Sequence, residues 1–86
     1  MTPEEKRIIP LSKMGVNQSG IISSLEGGGK FQVRLQALNL RIGKRIKKIS
    51  TNPFRGPIVI EIDRSRLALG HGMANKVMVE ITEGDE

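Results

Sequence analysis

The sequence predicts a mainly β domain. It is a small five-stranded barrel, closed or nearly closed, with one short α-helix inserted after the first strand and a helical turn before the last. Three observations carry this expectation. Five short runs rich in Ile, Val and Leu are separated by turns of Gly, Pro and Asn. One stretch between the first two runs switches to helical spacing. Finally, 86 residues make a single domain, and in so small a sheet closure is the physical answer to two unpaired edges.

Residues 1–10 are polar and carry Pro3 and Pro10, so they are expected to form a flexible N-terminal tail. The barrel should span residues 11–82, with residues 83–86 a C-terminal tail. It opens on a short turn whose Leu11 and Met14, three apart, plug one side of the core. Residues 20–25 form the first strand, bounded by Gly20 and the Gly27-Gly28-Gly29 run. In residues 30–40, Phe31, Leu35 and Leu38 recur at i, i+4 and i+7, the apolar stripe of an amphipathic helix. Asn39 then stands where a left-handed residue ends a helix.

Residues 43–51 are the second strand, although Ile46 and Ile49 are three apart rather than two. Either a bulge shifts the register, or a lysine stem lies along the barrel with its ammonium in water. Residues 52–57 are a turn by composition. Residues 57–63 then alternate, with Ile58, Ile60 and Ile62 inward and Val59, Glu61 and Asp63 outward. Arg64-Ser65 is a tight connection to a short strand carrying Leu67 and Leu69. Residues 70–75 make one helical turn, and residues 76–82 alternate again through Val77, Val79 and Ile81. The expected core joins these aliphatic positions to Phe31 and Leu35, with the helix capping an open end.

Charge is distributed unevenly. Fourteen basic against nine acidic residues give a net charge of +5, and Lys30, Arg34, Arg41, Lys44, Arg45, Lys47, Lys48 and Arg55 lie in a stretch without one acid. Such polarity favours an acidic partner. Lys30, Arg34, Arg41, Lys44, Lys47 and Lys48 are expected to form one face that docks onto an acidic protein surface, with Phe54 as its apolar anchor. Nucleic acid is the rival partner. It is disfavoured because bases stack on exposed aromatics, and this chain has no Tyr or Trp and two Phe.

Catalytic motifs are wanting. The Gly27-Gly28-Gly29-Lys30 run lacks the spacing and the hydroxyl of a phosphate loop, because Phe31 follows Lys30 directly. The absence of cysteine excludes disulfide scaffolds, thiolate zinc sites and thiol nucleophiles. His71, the only histidine, reads as an exposed turn residue; the alternative is a weak or intersubunit metal site shared with distant carboxylates. Met14, Met73 and Met78 read as core filler. Glu61 and Asp63 share a strand face, as surface acids do when they pair with lysine or arginine. The sequence therefore predicts a binding protein, not an enzyme, with no cofactor. Neither a secretory signal nor a membrane-length apolar run is present, so a cytoplasmic location is expected.

From Leu11 to Ile81 the order of elements resembles the FeoA family of ferrous-iron-transport proteins. Leu11-Ser12-Lys13-Met14 is similar to the family's leading turn, and Gly20-Ile21-Ile22-Ser23-Ser24-Leu25 to its first strand. Leu38-Asn39-Leu40 and Gly43 stand where the family usually reads Leu-Gly-Leu-x-Pro-Gly, with Asn39 for the glycine and Ile42 for the proline. Pro57-Ile58-Val59-Ile60-Glu61-Ile62 with Arg66-Leu67-Ala68-Leu69 is the most specific part, resembling the family's central hairpin. Lys48 falls where a β-branched residue is common, and Gly70-His71-Gly72 replaces a polar, acid-containing turn. The resemblance implies an SH3-like barrel and an accessory role in ferrous iron uptake. It also implies protein–protein contact with the membrane transporter FeoB, whose cytoplasmic GTP-hydrolysing domain is the expected docking surface. A stand-alone SH3-like domain of the iron-dependent-repressor type is the remaining alternative.

Overall fold

The structure, a computed structural model, describes residues 6–50 and 56–82. In chain order it contains β1 (Lys6–Pro10), a 3-10 turn (Leu11–Lys13), β2 (Ser19–Leu25), α1 (Gly29–Ala37), β3 (Arg45–Ser50), β4 (Ile58–Ile62), β5 (Ser65–Leu69), α2 (His71–Ala74) and β6 (Val77–Thr82). All strand pairs are antiparallel, in the order β1-β6-β2-β3-β4-β5. The expected small β barrel is there, with six strands instead of five.

The extra strand lies in the segment expected to be a tail. Lys6 to Pro10 pair with Thr82 to Met78, and Ile9 packs against the core. The prolines hid this strand. Pro10 is the last residue of an edge strand, where a missing N–H is tolerated.

β2 turns its inward residues from Gly20 and Ile22 to Leu25 across a register shift between Ile22 and Ser24. Gly20 is required by the closeness of β6: a Cβ there would lie 2.4 Å from Val79 Cγ1 and 2.8 Å from the Glu80 carbonyl oxygen. α1 starts from Gly28 and ends at Ala37, and Asn39 takes the expected left-handed conformation at φ 69°. The Leu40 N–H donates to the Leu35 carbonyl at 3.0 Å and the Asn39 N–H to that of Gln36 at 2.9 Å. This is a Schellman ending, and it buries Leu35 and Leu40 together. Phe31 and Leu38 are partly buried against the same core, and the Lys76 ammonium stands 5.4 Å from the Phe31 ring centre.

The core unites Ile58, Ile60, Ile62 and Leu69 with Val77, Val79, Ile81, Leu11, Met14 and Leu35. Leu67, on edge strand β5, is only partly buried. β3 resolves the question posed by Ile46 and Ile49. Ile46 and Lys48 both point inward, and the register with β4 shifts between Lys48 and Ser50. Bulge and lysine stem are both present, but the ammonium is not in water. Lys48 is 2% exposed, and its Nζ donates to the Met14 carbonyl at 2.7 Å and the Ser12 carbonyl at 3.2 Å. Burial pulls its pKa below the ordinary lysine value.

A second polar tie sits at the other side of β3. Ile62 pairs with Ser65, so Asp63 and Arg64 are the whole β4–β5 connection. The Asp63 carboxylate accepts hydrogen bonds from Lys44 Nζ and, at 2.7 Å, from Asn39 Nδ2. The end of α1, the approach to β3 and the hairpin tip are thereby joined. Those bonds, the lysine's first, hold the Asp63 carboxyl below its usual range.

Lys48→Met leaves two carbonyls without a donor and should lower unfolding free energy in urea by about 1–3 kcal/mol at pH 7. Because the folded pKa is lowered, the parent should also gain stability as pH rises from that value towards the ordinary lysine range, a gain the Met variant lacks. Asp63→Asn tests the second tie. A depressed carboxyl stabilises fully above its unfolded pKa of about 3.9, and the contribution disappears as pH falls through the folded value. The parent–variant stability gap should therefore shrink on acidification below pH ~4; a gap constant from neutral pH to pH ~2 contradicts this tie.

Candidate functional site

The six basic residues expected on one face do not share it. Lys30 and Arg34 are exposed on α1, one helical turn apart, and Arg41 is exposed just beyond the helix. Lys44 is partly buried and bonded to Asp63. Lys48 is withdrawn altogether, for its position in the strand alternation points it into the barrel and carbonyl oxygens hold it there. Phe54, the expected anchor, lies outside the described residues.

Lys47 is the predicted residue that the fold carries into a groove. An open depression of about 300 Å³ is lined by Ser19, Arg45, Lys47, Glu61, Asp63 and Arg64. The strand register explains the company: Ser19 faces Lys47 across β2 and β3, Lys47 faces Glu61 across β3 and β4, and Glu61 faces Arg66 across β4 and β5. Arg45 and Lys47 are two apart on β3, so both stand on its outer face. Among the described residues, Arg45, Lys47, Arg64 and Arg66 make no ion pair or side-chain hydrogen bond, whereas Lys44 is committed to Asp63. The groove therefore offers free cations beside two acids, one of them already engaged.

Sequence reasoning missed Arg45 and Arg64 as groove residues. The available signal was the two-residue spacing of Asp63-Arg64 between alternating strands, which fixes a hairpin and puts Arg64 at its tip.

His71 is not the exposed turn residue expected. It begins α2, is partly buried, and its Nε2 is buried without a hydrogen-bond partner among the described atoms. The helical turn packs beside the Leu11–Lys13 turn, to which Asn75 is tied by a hydrogen bond from the Ser12 hydroxyl. Among the described residues, no three of His, Cys, Asp or Glu come together as a metal site. No helix among them is long and apolar enough to cross a membrane.

A family model described as the FeoA domain matches residues 9–81. A protein of Methanocaldococcus jannaschii called putative Fe(2+) transport protein A is 31% identical over 74 residues, covering 86% of this chain and 88% of that one. A crystal structure described as iron uptake regulatory protein (FeoA) superimposes with a TM-score of 0.81 at 34% identity, covering 88% of this chain and 99% of the other. The solution structure of iron(II) transport protein A from Clostridium thermocellum gives a TM-score of 0.79 at 25% identity, over 85% of this chain and 45% of that one. The family model spans most of the chain, and the chain belongs to the FeoA domain family.

Proposed function

We propose that this protein is a cytoplasmic accessory of ferrous iron transport that acts by contact with the cytoplasmic GTP-hydrolysing domain of the transporter FeoB. The observation that carries this reading is a set of exposed cations, unpaired among the described residues, on a barrel of the FeoA domain family. Lys30, Arg34 and Arg41 form its α1 side, and Phe54 is its candidate apolar anchor.

Rim charges set association rates, and salt screens them over about 10 Å at 0.1 M. Reversing Arg34 and Arg41 to Glu should slow association with a FeoB cytoplasmic domain several-fold at low salt and much less at high salt. Phe54→Ala should speed dissociation. Biolayer interferometry on the folded variants measures both, and unchanged kinetics in all of them would sink this reading. Loss of binding to a nucleic-acid pool, with the transporter domain bound as before, would move the function to nucleic acid.

For iron itself, anaerobic calorimetry with ferrous ion should give weak heats or none. A tight one-to-one signal abolished by His71→Ala would overturn that expectation. A signal lost on dilution would assign the ion to a site between subunits.

A further inference from the structure

The β4–β5 hairpin places two non-glycine residues in the left-handed region, Asp63 at φ 49° and Arg64 at φ 67°. A two-residue hairpin needs positive φ at both central positions, and Asp suits the first. Arg does not suit the second, where glycine avoids the clash between Cβ and the following carbonyl. A side chain held at a conformational disadvantage, on the rim of a groove and without a partner among the described residues, points to a use outside the domain.

We infer that the groove receives an extended segment of a partner protein bearing carboxylates at alternate positions, and that Arg64 closes over one end of it. The inference rests on the contact role proposed above and names the surface and the chemistry. Arg45 and Lys47 are two residues apart on one strand, a spacing of roughly 6.6–6.8 Å that an extended Glu-x-Glu segment reproduces. Their cations are free to pair, as is that of Arg64. Glu61 and Asp63 line the same groove. They supply acceptors for the backbone N–H groups or a basic side chain of a peptide. Against a nucleic-acid strand the same acids act as repulsion, because phosphates follow one another without a donor between them. Mixed charge thus selects a protein segment over a polyanion.

The test uses the full chain and a synthetic peptide, acetyl-Gly-Glu-Ser-Glu-Ser-Glu-Gly-amide, with its all-Gln counterpart and a ten-residue oligothymidylate as controls. Titration followed by amide NMR should shift Ser19, Arg45, Lys47 and Arg64 with the Glu peptide and leave them in place with the Gln peptide. Arg64→Gly should raise the melting temperature, by relieving the turn, while weakening the peptide about two- to fivefold. Arg45→Gln, which leaves the turn untouched, should weaken it similarly. An Arg64→Gly protein that binds the peptide like the parent overturns the inference, as does oligothymidylate shifting the same residues more strongly. If the transporter domain binds in an Arg34-dependent way while the peptide leaves the groove unmoved, the inference fails and the proposed function stands. Peptide binding without any association with the transporter domain supports the groove and refutes that function.

Discussion

Lys48 holds one wall of the barrel to the chain that closes it. Its ammonium donates to the carbonyls of Ser12 and Met14, its backbone N–H to Gln18 at 3.0 Å, and its carbonyl accepts from Asn17 at 2.7 Å. All four bonds reach the same connection between β1 and β2. That connection supplies Leu11 and Met14 to the core, and through Ser12 it reaches Asn75 beside α2. A chain with a thin aliphatic core and few aromatic residues has little apolar area with which to fix such a segment. Hydrogen bonding to a buried cation accomplishes it instead, at the expense of desolvating the ammonium.

Asp63 plays a similar part outside the core, and the two devices divide β3 between them. On the inner side of the strand, Lys48 binds the β1–β2 connection; just before its start, Lys44 draws Asp63 against the end of α1. Asn39 is used twice, its backbone ending the helix and its amide steadying the hairpin tip. The tip is in this way fixed from behind while Arg64 remains available in front. Rigidity in the supporting groups lowers the ordering entropy that a partner would otherwise have to overcome.

Much of the fold is legible in the sequence because alternation reports directly on which face is wet. Ile58, Ile60 and Ile62 are all inward, and Asn39 takes the left-handed conformation its position implies. Lys48 was not legible: the sequence places it on the docking face because lysine usually keeps its ammonium in water, whereas the strand turns it inward beside Ile46. β1 is obscured in the sequence because prolines suggest an irregular tail, though an edge strand tolerates them. The site was less legible than the fold. A run of cations along the chain says nothing of how strands divide them between faces, and it says nothing of Glu61, which pairing sets beside Lys47. Charge patches are properties of register.

The first and last strands lie side by side, with Lys6 opposite Thr82. The chain therefore enters and leaves the barrel at neighbouring points, only about 5 Å apart across an antiparallel pair. A unit built in this way is portable. It can be spliced into a surface loop of a host chain without forcing the host's two ends apart, or strung in series by short linkers. The barrel's modularity is thus written into a single pairing, that of β1 with β6.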